Sequence, residues 1–334
     1  MADPSSKQEL IVGVDLGGTK ILAGVFTAQL KRLQTAKLST KAVRGFEEVV
    51  ERIARCIQDA VDEADYSLKQ VKAIGIGAPG AVDPGSGEVL FAPNLEWSKA
   101  PLKKALEKRL EIPVFVENDC NLCALGVHEI ELEGKPRHMV GIFLGTGIGS
   151  GLILDGHLYS GFNRTAGEIG HMVLQVGGPK CGCGNKGCFE ALASRTAIFR
   201  NLQEAVKAGE KTSILELLGP GQTLADLKSG DLRKAIRKGD KLVEKIVEDA
   251  AEYTGVAVAN VLNLLNPEVI VLGGGVIDAL KDEMMSIIVE TARDYAMPGT
   301  DKGIEIVASD LGDEAGIHGG AVLARQRLKS ASSA

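Results

Sequence analysis

Four side chains in the middle of the sequence offer metal chemistry: His171, Cys181, Cys183 and Cys188. Zinc selects imidazole nitrogen and thiolate sulfur, and three thiolates with one imidazole close a tetrahedral structural site. Glycines at 182, 184 and 187 let the chain wrap tightly around an ion. A disulfide or free thiols are the competing readings, but a closed four-ligand set so tightly spaced favours zinc. With every coordination position filled by protein, such a zinc holds structure and is not a hydrolytic centre.

Two glycine-rich stretches offer phosphate chemistry. Asp15-Leu16-Gly17-Gly18-Thr19-Lys20 follows one strand-like run, and Gly145-Thr146-Gly147-Ile148-Gly149-Ser150-Gly151 follows another. Glycine lets backbone amides approach phosphate oxygens, and a threonine adds a hydroxyl donor. A carboxylate such as Asp15 beside the loop suits hydrated Mg²⁺. A plain Gly-Gly hairpin turn explains the first stretch alone equally well, but two in equivalent places argue for phosphate. Neither matches the P-loop pattern. Neither leads directly into a helix, as a dinucleotide fold requires.

Carboxylates complete the inventory. Glu117-Asn118-Asp119 ends a strand-like run. Asp119 there can serve as a general base. Taken alone, the tripeptide reads better as the N-cap of the following helix. Glu168, His171 and Glu190 flank the cysteines and can hydrogen-bond sugar hydroxyls; if one nitrogen of His171 binds metal, the other has a fixed direction.

The elements that must carry these residues follow from periodicity. Leu10 to Asp15 and Ile21 to Phe26 read as a hairpin. Phe46, Val49, Val50, Ile53, Ile57, Ala60 and Val61 recur at helical spacing. Val71 to Gly77 is a buried strand, Pro101 to Leu110 a helix and Val114 to Val116 a strand. Met139 to Leu144 with Leu152 to Leu154 repeats the hairpin. Val269 to Leu272, running into Gly273-Gly274-Gly275, echoes Ala73 to Gly77. Leu242 to Leu265 is a long helix, and a closing helix follows. Hairpin, helix, strand and small-residue turn thus occur twice, which predicts two similar α/β lobes with a central cleft.

Composition sets the outer limits. The 334 residues carry 38 Lys and Arg against 44 Asp and Glu, a net charge of −6, which disfavours nucleic acid as a partner. The hydrophobic share of 45% and charged share of 25% are those of a globular chain with a real core. Met1 to Lys7 do not read as a signal peptide, and no apolar run of about 18 residues predicts a membrane span. The six cysteines do not form a secreted disulfide pattern, so a cytoplasmic protein is expected.

The combination Glu168-Ile169-Gly170-His171 with Cys181-Gly182-Cys183-Gly184-Asn185-Lys186-Gly187-Cys188-Phe189-Glu190 resembles the ROK family (repressor, open reading frame, kinase) of bacterial sugar kinases and sugar-responsive repressors. The resemblance spans about residues 9 to 326 and is greatest to the ATP-dependent glucokinases. Asp15 to Lys20 and Gly145 to Gly151 resemble the family's two phosphate motifs. Asn266-Pro267-Glu268 with Gly273-Gly274-Gly275 is similar to its segment near adenosine.

The resemblance implies an actin-like, ribonuclease-H-like ATPase fold. Residues 1–120 would form the smaller lobe, with a closing helix at about 316–332 packing back on it. Residues 121–315 would form the larger lobe with the zinc loop. It implies ATP-dependent phosphorylation of a hexose, foremost glucose, at its 6-hydroxyl. N-acetylglucosamine or N-acetylmannosamine is the alternative substrate, and a non-catalytic sugar sensor the alternative function. Asp119 would be the catalytic base. Gly80, Asn94, Asn118, Asp119, Glu168, His171 and Glu190 would bind sugar. Asp15, Gly17, Gly18, Thr19, Lys20, Gly145, Thr146, Gly147, Gly274 and Gly275 would bind nucleotide with Mg²⁺. His171, Cys181, Cys183 and Cys188 would hold zinc, and a homodimer is the family expectation. Family repressors carry an N-terminal winged-helix domain. Here the first phosphate motif begins by Asp15, leaving no room for one, so a kinase is expected. Arg164 and Thr165 depart from the family's small residues in the loop that approaches the sugar.

Overall fold

Apolar alternation at the head of the chain builds a strand pair. In the computed structural model, which describes residues 8–332, Leu10–Leu16 (β1) runs antiparallel to Lys20–Thr27 (β2), with Val12 opposite Val25. Met1 to Lys7, read above as lacking a signal peptide, lie outside the described residues. Arg32–Ser39 (β3) continues the antiparallel run, and Phe46–Glu63 (α1) buries its predicted stripe, from Val49 to Val61. Next come Val71–Ala78 (β4), Ala81–Asp83 (β5), Glu88–Ala92 (β6), Trp97–Ala100 (β7), Leu102–Leu110 (α2), Val114–Asn118 (β8) and Asp119–Gly126 (α3).

Strands Met139–Leu144 (β9), Ile148–Leu154 (β10) and His157–Leu158 (β11) follow. Helices Phe189–Ala193 (α4), Arg195–Lys207 (α5), Ser229–Arg237 (α6) and Lys241–Leu265 (α7) precede Val269–Gly273 (β12). Gly275–Tyr295 (α8), Glu305–Ala308 (β13) and Ala315–Ser332 (α9) complete the order. No helix among the described residues is long and apolar enough to cross a membrane.

The predicted duplication is visible in the topology. One five-stranded sheet has the order β3-β2-β1-β4-β8 and the other β11-β10-β9-β12-β13. In each, the central strand pairs in parallel with the strand beyond it, and that strand with the edge: β1 with β4 and β4 with β8, β9 with β12 and β12 with β13.

The chain divides into two compact units. The first holds the described residues up to Arg137, Gly151–Ala166 and those from Glu314 onward; the second holds His138–Ser150 and Gly167–Asp313. The division falls at Arg137, not at 120. The reason is packing: Leu122 and Leu125 of α3 share one apolar cluster with Ile317, Ala321 and Val322 of α9. The second glycine stretch also differs from its expected extent. The turn proper is Gly145–Gly147, and Gly149 and Gly151 already belong to β10.

Helix α9 meets bare backbone as well as apolar side chains. A Cβ built on Gly13 of β1 would overlap the carbonyl of Ile317, and one on Gly75 of β4 would overlap the carbonyl of Gly320. On the other side, Gly319 meets the Leu122 carbonyl of α3, and Gly126 of α3 meets the Ala315 carbonyl. Missing Cβ atoms therefore set how closely strand, helix and helix approach.

A methyl group at Gly75 has no flexible side chain to displace, so α9 itself must move. Overpacking of this kind costs about 3 kcal/mol. Gly75→Ala is expected to lower the urea unfolding midpoint clearly; an unchanged midpoint would contradict the seam.

Candidate functional site

In the first unit the site begins where β1 ends. Asp15 is half-buried, and Gly316 in the first turn of α9 packs on it, a built Cβ lying 3.1 Å from Asp15 Cβ. The tip that follows is tight: Gly17 N donates to Lys20 O at 2.9 Å. Thr40 clamps it from behind, its hydroxyl on Gly17 O at 2.7 Å and its amide on Thr19 O at 2.9 Å. Thr19 is exposed at the tip, and a Cβ on Gly18 would stand 3.3 Å from Asn94 Cβ.

A second group forms where β8 meets α3. The Asn118 side chain caps the helix, accepting from Asn121 N at 3.0 Å, and its Nδ2 donates to Gly80 O at 3.0 Å. Gly80 has φ 83, in the left-handed region that favours glycine, and it abuts the Phe91 carbonyl. Asp119 is the first helical residue, at the positive end of α3, and its Oδ1 accepts from Cys120 N at 2.8 Å. The capping residue is Asn118 and the candidate base is its neighbour, so the two readings of the tripeptide fall on different side chains. Glu117, 4% exposed, fixes the arrangement from below by accepting from Asn118 N at 2.9 Å and Asn121 Nδ2 at 3.0 Å.

In the second unit the cysteines form a knuckle. Cys181 N donates to Asn185 O at 2.8 Å, and Gly184 N to Cys181 O at 3.1 Å. Gly187, at φ 76, lies against the Gln175 carbonyl, where a Cβ would collide. The ligand atoms of His171, Cys181, Cys183 and Cys188 all lie within 4.8 Å of one another. Cys183 Sγ to Cys188 Sγ is 3.7 Å, and Cys181 Sγ to His171 Nδ1 is 3.7 Å. Metal–sulfur bonds of about 2.3 Å in a tetrahedron place sulfurs about 3.8 Å apart, so the set fits a zinc-sized ion. Nδ1 is the ring nitrogen facing the thiols, while Nε2 faces Glu168 Oε2 at 4.0 Å. Burial pushes the Cys181 thiol up to about 12 and raises Cys188 as well, whereas the Asn185 backbone amide lowers Cys183. Such thiols become a thiolate set when a cation supplies the opposing charge.

Glu190 ties this knuckle to the second glycine turn. Its Oε1 lies 3.5 Å from Cys181 Sγ, and its Oε2 accepts from Ile148 N at 3.0 Å. Gly147 passes so close to Oε2 that a Cβ would overlap it. The turn is closed by Gly145 N on Gly147 O at 2.8 Å. Gly274, the N-cap of α8, stacks on the backbone of Leu144, where a built Cβ would come within 2.6 Å of its carbonyl oxygen. The start of α5 holds the turn from a third direction: Thr196 Oγ1 donates to Thr146 O at 2.7 Å and Arg195 Nη2 to Thr146 Oγ1 at 3.1 Å.

Most of the expected residues thus fall into local groups: Gly18 with Asn94, Gly80 with Asn118 and Asp119, Gly145 to Gly147 with Gly274 and Glu190. Asn266 and Glu268 do not join the last group, because β12 separates them from Gly274. There they do structural work, Asn266 Nδ2 donating to Thr300 O at 2.7 Å and Glu268 Oε2 accepting from His138 N at 2.7 Å. Thr165 Oγ1 donates to Asn163 Oδ1 at 2.7 Å, and Arg164 takes φ 67. Thr40, Arg195 and Thr196 escaped the sequence reading, and Glu117 entered it only as part of the strand-end tripeptide. Ser194, which caps α5 by accepting from Ala197 N at 3.2 Å, signals that helix but not what stands beside it.

The ROK family model matches residues 11–327. The chain belongs to the ROK family. A glucokinase of Thermotoga maritima is 37% identical over 95% of this chain and 98% of its own length. The crystal structure of a ROK family glucokinase from Streptomyces griseus, in complex with glucose and AMPPNP, superposes with TM-score 0.83 at 34% identity, covering 95% of this chain and 99% of that one. A ROK hexokinase from Thermus thermophilus gives TM-score 0.77 at 32% identity, covering 96% and 99%. These likenesses carry the α/β, actin-like fold to both units.

Within this ROK chain, Gly147 is the position that tests the tie between turn and knuckle. Gly147→Ala is expected to displace the Glu190 carboxylate and strand the buried Ile148 amide, at about 1–3 kcal/mol. Chemical denaturation reads this directly, and unchanged stability would show that the tie does not matter.

Proposed function

We propose that this chain is an ATP-dependent sugar kinase that phosphorylates the 6-hydroxyl of glucose. One observation carries the reading: the chain matches glucokinases over nearly its whole length while keeping a carboxylate, Asp119, at the head of α3 beside Asn118 and Gly80. Phosphoryl transfer asks a protein for positioning and charge neutralisation more than for covalent chemistry. Asp119 accepts the proton of the attacking hydroxyl. Asn118, Gly80, Asn94, Glu168, His171 and Glu190 orient the sugar. The amides of Gly18 and Thr19 and those of Thr146 and Gly147 hold phosphate oxygens, with Gly17, Lys20, Gly145, Gly274 and Gly275 beside them. Asp15 would hold hydrated Mg²⁺, which when bound would supply charge neutralisation at the phosphates. His171, Cys181, Cys183 and Cys188 would hold zinc, which when bound would supply a cross-link fixing the segment that bears Glu168 and Glu190. The same reading takes the protein to be a cytoplasmic homodimer.

A general base contributes about a hundred- to ten-thousand-fold. Asp119→Asn is expected to lose turnover in that range in a coupled ADP-release assay while retaining glucose binding; near-normal turnover would remove Asp119 from the role. The same assay run with glucose, mannose, fructose and the two N-acetylated hexosamines is expected to favour glucose, and preference for an acetylated sugar would reassign the substrate. Metal analysis should find about one zinc per chain. Cys183→Ser should lose zinc, sugar affinity and stability together, whereas a zinc-free protein with full activity would refute the cross-link.

A further inference from the structure

We propose that Arg195 is a phosphate-binding residue of the donor nucleotide, acting beside Thr146. The inference rests on the assignment of Gly145 to Gly147 to nucleotide, made above.

The first observation is where the guanidinium stands. Arg195 opens α5 next to the second glycine turn, and its own amide donates to Gly145 O at 2.9 Å. Its side chain is exposed and gives one donor, Nη2, to the Thr146 hydroxyl at 3.1 Å. The second observation is its charge balance. Among the described residues no carboxylate pairs with Arg195, whereas Arg200 on the same helix lies 3.9 Å from Glu204. The starts of two helices, α5 and α8, also adjoin this turn and add positive potential. The nearby carboxylate oxygen, Glu190 Oε2, is already engaged by Ile148 N. Arg195 thus presents a guanidinium without a carboxylate partner at a glycine turn, an arrangement complementary to a dense anion.

The third argument is proton direction. Because Thr146 Oγ1 accepts from Arg195, its own hydrogen must point elsewhere and is available as a donor. A guanidinium has five N–H donors in a planar fork that matches phosphate oxygens. Arg195 can therefore hold a phosphate directly and orient Thr146 toward it, roles that a neutral residue at 195 cannot fill.

Steady-state kinetics and AMPPNP titration on the full chain test this. Arg195→Ala is expected to raise the KM for ATP and the Kd for AMPPNP about tenfold, the scale of one charge-assisted contact. The value of kcat should stay within about threefold. The KM for glucose and the affinity for adenosine should not change, and Arg195→Lys should recover part of the loss. Unchanged ATP and AMPPNP affinities in an active enzyme would overturn the Arg195 assignment alone. Equal losses for ATP, glucose and thermal stability would overturn it too, as a merely structural role. A wild-type chain that neither binds AMPPNP nor phosphorylates any sugar would instead fell the kinase reading, and this inference with it.

Discussion

The close seating of α9 on bare backbone is the constraint on which the first unit depends. Gly13 and Gly75 remove Cβ atoms from two neighbouring strands at the places where α9 crosses them. Close packing propagates such a contact, because interiors have few voids to absorb a shift. Asp15 leaves β1 two residues after Gly13, and Gly316 of α9 packs on it. Asp119 opens α3, which is pinned to α9 through Gly126 and Gly319. The positions of two carboxylates, Asp15 and Asp119, therefore derive from one seam.

The second sheet repeats the strand order of the first. Its glycine turn sits between the corresponding strands, but three separate elements hold it: α5 through Thr196, the Leu144 backbone through Gly274, and α4 through Glu190. Glu190 stands one residue into α4, immediately after Cys188 and Phe189. Whatever orders the knuckle thereby orders the turn, so these two groups of residues share one mechanical support.

What could be read without coordinates was what is local. The Cys and His spacing, both hairpins, the stripe of α1 and the Asn118 cap depend on neighbours a few positions apart, and each is found in the structure. The repeated hairpin and strand pattern reached as far as the topology, since the two sheets share one order. Non-local facts stayed hidden. The unit boundary lies at Arg137 because α3 packs on a helix almost two hundred positions later, which no composition shift marks. Arg195 and Thr196 read as an ordinary helix start, and their value comes from a turn about fifty positions earlier. Family resemblance groups Asn266 and Glu268 with Gly273 to Gly275, and the predicted strand between them, β12, sets the two apart.

The return of α9 also has a kinetic side. Domains generally fold as units, N-terminal ones first as synthesis proceeds. Here the first unit cannot finish that way. Its sheet strands emerge early, yet the helix that covers Gly13 and Gly75 is the last of the described elements to be made. Until then the sheet face that receives α9, with Ile11, Leu22, Phe26 and Ala73, stays without its cover. Contacts of such long sequence separation close slowly, since loop entropy is spent before they form. The nascent chain therefore carries an open apolar surface through most of its elongation, and the second unit, nearly continuous in sequence, is complete before the first.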